Sequence, residues 1–144
     1  FITRDDKASS LLVVEPDLIM RNPDPYETIE TITKQSITLD SYCEQHNIET
    51  IDILKTDTQG NDLEVLKGAE NLLKEGRIGI IGIEIFFAKA YSGQCKSHEV
   101  LSYLDYFGYH FLNIDWLSHT DLGYLYFADA TFVSHDVGDR LGLL

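Results

Sequence analysis

The sequence predicts an α/β protein with a mostly parallel sheet and helices on both of its faces. Three observations predict it. Short apolar runs at Ile51–Thr56 and Ile78–Phe87 have the length and isoleucine content of buried strands. Between and after them, apolar residues recur at helical spacing, as in Leu63, Leu66, Ala69 and Leu72/Leu73, then Val100, Leu101, Leu104 and Phe107. The resulting order of strand, helix, strand, helix, strand, strand is the pattern of a sheet layered with helices.

Taken in order, the chain opens on a lead-in over residues 1–27 that is read as irregular. Leu11 to Val14 fits a short strand or a docked turn equally. All three prolines, Pro16, Pro23 and Pro25, fall in the next window, so residues 15–27 read as a loop or crossover. The β-branched residues of 28–37 predict a strand. Thr38 is placed to cap a short helix over Leu39–His46, ending at Asn47.

After the strand at 51–56, Asn61 and Glu64 have capping-box spacing, and Gly76 supplies the stop of that helix. Ile78–Phe87 is apolar on both parities except at Glu84, which predicts a strand covered on both faces. Gly79 and Gly82 within it fit close packing. Ser97 is placed to cap the second long helix, which Gly108 stops; Tyr109–Ile114 and Tyr124–Ser134 read as the last strands.

With 144 residues, 44% of them hydrophobic, the chain is of a size for one domain with one core. Its formal net charge of -13 repels phosphate backbones and anionic lipid, which argues against nucleic acid and membrane surfaces as partners. Cys43 and Cys95 are far apart and fit a reducing, cytoplasmic setting, and no apolar run reaches the length of a membrane span.

The stretch Leu54-Lys55-Thr56-Asp57-Thr58-Gln59-Gly60-Asn61-Asp62 sets polar side chains where a strand ends and its helix begins. Ligands of open α/β sheets bind outside the carboxyl ends of the strands. Asp57 there suits a general base or hydrogen-bond acceptor, and suits equally a tie for its own turn. Lys55 fits a strand-end lysine or a catalytic one. Glu84 is costly inside an isoleucine run unless it lines a polar cleft or finds a partner. The five histidines fall on separate elements without metal-ligand spacing, so no metal site is expected, and there is no GxSxG elbow for a nucleophilic triad. The tyrosines at 103, 106, 109, 124 and 126 read as core and rim. No glycine precedes Gly60 and no two glycines flank a single residue, so a glycine-rich nucleotide loop is not among these residues.

Thr38-Leu39-Asp40, the run from Ile51 to Gly60, and Leu63-Glu64-Val65-Leu66-Lys67-Gly68-Ala69 resemble the FkbM family of S-adenosylmethionine-dependent methyltransferases. The likeness extends through Ile83-Glu84-Ile85 to Ala128-Asp129-Ala130. It implies a Rossmann-like class I methyltransferase fold with a seven-stranded sheet. Residues 1–144 would form a single partial domain carrying the fourth to seventh strands, with the glycine-rich cofactor loop and the first strands upstream of Phe1. Such a piece alone is expected to be inactive and to self-associate through an exposed sheet edge.

By the same resemblance, Asp57 lies near the methionine end of S-adenosylmethionine and the acceptor hydroxyl. Glu84 lies on the neighbouring strand end. From their place at the strand end, Asp57 and Lys55 are the catalytic candidates, Gln59 a candidate for cofactor and substrate contacts, and Glu84 for the substrate pocket. The family usually carries glutamate at the positions of Gln59 and Asp62, so a base at 59 is in doubt here. The expected reaction is O-methylation of a sugar, glycan or natural-product hydroxyl. The rival reading is a non-catalytic α/β binding module or inactive fragment, with a receiver-like domain phosphorylated on Asp57 as a weaker variant.

Overall fold

The structure, a computed structural model, describes all of residues 1–144. Its centre is a four-stranded sheet of β3 (Ile51–Thr56), β4 (Ile78–Phe86), β5 (Tyr109–His119) and β6 (Leu125–Ser134), in the order β3-β4-β6-β5. β3 and β4 are parallel, while β6 is antiparallel to both β4 and β5. The sheet is therefore mixed, and the expectation of a mostly parallel one is corrected. The reason lies in the connections. A helix, α6 (Ser97–Tyr106), separates β4 from β5, but only residues 120–124 separate β5 from β6. So short a link can only return the chain as a hairpin.

The isoleucine run forms the interior strand, as its pattern predicts. Ile81, Ile83 and Ile85 are buried on one face, against α3 (Leu39–His46), α4 (Asp62–Lys67), α5 (Glu70–Lys74) and α6. Alternation along the strand sends Gly82, Glu84 and Phe86 to the other face. β3 is less buried than its apolar run implies. It lies at the edge of the sheet, and Ile53 is 68% exposed.

Thr38 caps α3 as expected, accepting a hydrogen bond from the Ser41 amide at 3.2 Å, and Asn47 closes the helix in the left-handed region at φ 55°. The long helix expected after Asn61 is instead two short ones, broken at Gly68 and Ala69. The break is held by Asp40, whose carboxylate caps α5 from a neighbouring helix. It accepts from the amides of Asn71 at 3.0 Å and Leu72 at 3.1 Å. No capping box forms at Asn61, because the Glu64 carboxylate pairs with Lys67 at 2.6 Å. Ser97 is the first residue of α6 and not its cap; Glu99 accepts from the Lys96 amide at 2.7 Å.

The lead-in is more ordered than read. Pro16 and Pro23 begin short helices, α1 (Pro16–Arg21) and α2 (Pro23–Tyr26), at the position where a missing amide costs nothing. Val14 docks as a single bridge to Tyr91. The strand expected at 28–37 shrinks to β2 (Thr28–Glu30), paired with β1 (Ile2–Thr3). Ile29, Ile32 and Ile37 are all exposed, so β propensity there meets no surface to pack on. A last helix, α7 (His135–Leu141), follows β6 and sets Val137 against Gly79.

Candidate active site

At the end of β3 the chain turns sharply, with Gln59 at φ 54° and Gly60 at φ 92°. Gly60 is required twice over: its angle disfavours a side chain, and a Cβ there would sit 3.0 Å from that of Gln94. Asp62, fully buried at the start of α4, ties the turn down. Its carboxylate accepts from the Thr58 amide at 3.1 Å and from the Thr56 hydroxyl. Burial pushes its pKa up, opposed by those hydrogen bonds.

The turn does not depend on Asp57 for these hydrogen bonds. The turn is held by Asp62, and the hydrogen bond that Asp57 accepts comes from the Gln59 side chain at 2.8 Å. Asp57 is exposed and free to meet a ligand.

Gln59 is the hub. Its Nε2 donates to Asp57 Oδ1 at 2.8 Å and to Glu84 Oε2 at 2.9 Å, and its Oε1 accepts from the Tyr91 hydroxyl at 2.7 Å. Its backbone carbonyl accepts from Ser10 Oγ at 2.8 Å, fixing the strained residue to the lead-in. A glutamate here would add a third carboxylate and lose both donations. The amide makes an arrangement that an acid could not.

Glu84, only 6% exposed, lies across from Asp129 on β6. Burial first, then the charges of Asp57, Asp62 and Asp129, push its carboxyl up to about 8. Both causes favour its neutral form. Lys55 does not relieve it. That side chain crosses over Gly82, where a Cβ would meet it at 3.3 Å, and pairs with Asp129 at 2.6 Å.

Asp57, Gln59 and Glu84 converge on a cavity of about 550 Å³, and Lys55 does not line it. The lead-in closes one side through Asp5–Ser9 and Tyr26, and Phe86, Tyr91 and Tyr126 wall the other. Phe86 packs edge-on against both tyrosines, with centroids 5.8 Å and 6.0 Å away. Burial raises the hydroxyls of Tyr91 and Tyr126 above the ordinary phenol range, so both stay protonated donors.

Of the residues singled out in sequence, the structure brings Asp57, Gln59 and Glu84 together and directs Lys55 elsewhere. Tyr91, Tyr26 and the Asp5–Ser9 wall were not legible as site residues. Tyr91 follows a strand end by five residues, which was the one available signal.

A family model for the methyltransferase FkbM domain matches residues 3–111. The chain belongs to the FkbM methyltransferase family. The match begins in the lead-in and ends inside β5, so it spans every residue of the Asp57–Gln59–Glu84–Tyr91 network. No curated protein and no solved structure matches this FkbM-domain chain. No group of three or more histidine, cysteine or carboxylate side chains is arranged to hold a metal ion, and no helix is long and apolar enough to cross a membrane.

Proposed function

We propose that this protein is an S-adenosylmethionine-dependent O-methyltransferase acting on a sugar, glycan or natural-product hydroxyl through a Rossmann-like domain. The observation that carries the reading is the convergence of Asp57, Gln59 and Glu84 on one cavity, at the carboxyl ends of two parallel strands. The four strands β3–β6 agree in number with the part of the sheet that the family likeness assigns to this chain.

The residues fit the cofactor in charge and in space. Exposed Asp57 and half-buried Gln59 offer acceptors to its cationic groups, and the cavity has room for a donor's methionine end beside an acceptor. When bound, S-adenosylmethionine supplies a sulfonium methyl whose carbon–sulfur bond breaks as the carbon–oxygen bond forms. Asp57 orients the acceptor hydroxyl and takes its proton. Gln59 holds Asp57 and Glu84 at fixed separation, and the aromatic wall excludes water. Lys55 acts through charge, by neutralising Asp129.

The test is Asp57→Asn in the full-length protein, with methyl transfer followed by release of S-adenosylhomocysteine. Transfer is expected to fall by about 100-fold or more. Unchanged transfer would remove Asp57 from the mechanism. A wild-type protein with neither affinity for S-adenosylmethionine nor turnover would leave the binding-module reading.

A further inference from the structure

Acidic groups outnumber basic ones around Glu84. Asp57 follows β3, Asp62 opens α4, and Asp129 sits across on β6; all three are acidic and raise the Glu84 pKa. Lys55, on β3, is committed to Asp129 at 2.6 Å. Tyr91, Tyr126 and Tyr26, from the loop after β4, from β6 and from α2, carry hydroxyls and no positive charge. Lys7 is the one basic residue lining the cavity, and it is exposed. The floor thus holds a carboxyl that is 6% exposed, with Gln59 Nε2 as its one hydrogen-bond donor, beneath a wall of aromatic rings.

Carboxylates beside aromatic side chains are what a cationic nitrogen requires, since ring faces attract a cation and a buried carboxylate needs a counter-charge. Asp57 and Glu84 share the same Gln59 Nε2 atom, so their carboxyl groups are near neighbours. A hydroxyl held by one and a nitrogen held by the other belong to neighbouring positions of a single molecule. The net charge of -13 favours the approach of such a ligand.

We propose that the acceptor seated in this cavity is an amino alcohol, with its cationic nitrogen at Glu84 and the aromatic wall and its hydroxyl at Asp57. The assignment rests on the methyl-transfer reading for the hydroxyl but not for the nitrogen. It selects against acidic and phosphorylated acceptors.

The experiment is calorimetric titration of the full-length protein, without cofactor, by choline and by its neutral carbon isostere 3,3-dimethylbutan-1-ol. Choline is expected to bind about tenfold more tightly or better, and to tighten by about a further tenfold between pH 6 and pH 9 as Glu84 ionises. At neutral pH its binding releases a proton, read from the dependence of the heat on the buffer. Glu84→Gln is expected to abolish both the pH dependence and the proton release. Equal affinity for choline and the isostere, or no binding of choline, overturns the proposal on the wild-type protein alone. Competition between choline and S-adenosylmethionine would give the cation position to the donor's sulfonium, which overturns the acceptor assignment. Choline binding in a protein that transfers no methyl group would instead count against the methyltransferase reading and leave the cation site standing.

Discussion

Strands β3 and β4 run parallel and deliver both of their carboxyl ends to one cavity, whereas β5 and β6 form a hairpin whose outer strand is largely exposed. On β4, six of nine residues are buried; on β5 the register slips three times and Trp116, at φ 48°, is 84% exposed. Within the parallel pair, β4 is enclosed and must satisfy any polar group it buries. The hairpin can leave its polar groups to water. That difference shows in one cross-strand pair of acids: Glu84 is enclosed and its pKa is raised, while Asp129 reaches Lys55 near solvent. The hairpin still contributes to the site, because β6 enters beside the end of β4, pairing Phe127 with Phe86.

The contrast can be broken first in the core. Ile83→Ala should destabilise the protein by about 3–4 kcal/mol, measured by urea unfolding, since Ile83 is fully buried on the central strand. A cost below about 1 kcal/mol would mean that this strand is not the core of the fold.

Glu84 gives the next largest effect, and its sign follows from the direction of the shift. Its pKa is raised in the folded protein, from 4.5 to about 8, so the folded state binds more protons through that window. Stability from this group is fully present below 4.5, falls as pH rises through that window, and is gone above about 8. Glu84→Gln should match the wild type near pH 4 and exceed it by roughly 2–3 kcal/mol near pH 9. Parallel pH profiles for the two proteins would show that Glu84 is not enclosed.

Smaller effects belong to the solvent side. Lys55→Met should cost no more than about 1 kcal/mol, because the ion pair with Asp129 is half exposed and screened. Raising the salt concentration should shrink that cost further. Trp116→Ala, on the hairpin, should change the unfolding midpoint by less than the equivalent of about 0.5 kcal/mol. A larger loss would place Trp116 in an interface.

Much of the helical face was legible in the residues. Thr38 as a cap, Gly76 as a stop at φ 64°, and the isoleucines of β4 as an interior strand are local or periodic signals, and each holds in the structure. Gly82 as a close-packing position also holds, because Lys55 passes over it. Reading failed where a local preference had no partner or had a distant one. The β-branched run after Thr28 lacks a surface to cover, Asp40 caps a helix about thirty residues away in place of the expected continuous one, and Pro16 and Pro23 start helices where a loop or crossover is expected.

The sequence by itself determined the element types of the layered core, the place of the turn at Gly60, and the candidacy of Asp57, Gln59 and Glu84. Each of those follows from spacing along the chain or from the cost of an unusual residue in an apolar run. Only the tertiary structure decided that Asp62 and not Asp57 ties the turn, that Gln59 bridges two carboxyl groups, that Lys55 is drawn off to Asp129, and that Asp5–Ser9 with Pro25 and Tyr26 wall the cavity. The physical reason is that hydrogen bonds and charge balance depend on which groups are neighbours in space, and strand pairing and loop docking set those neighbours over separations that no local pattern encodes.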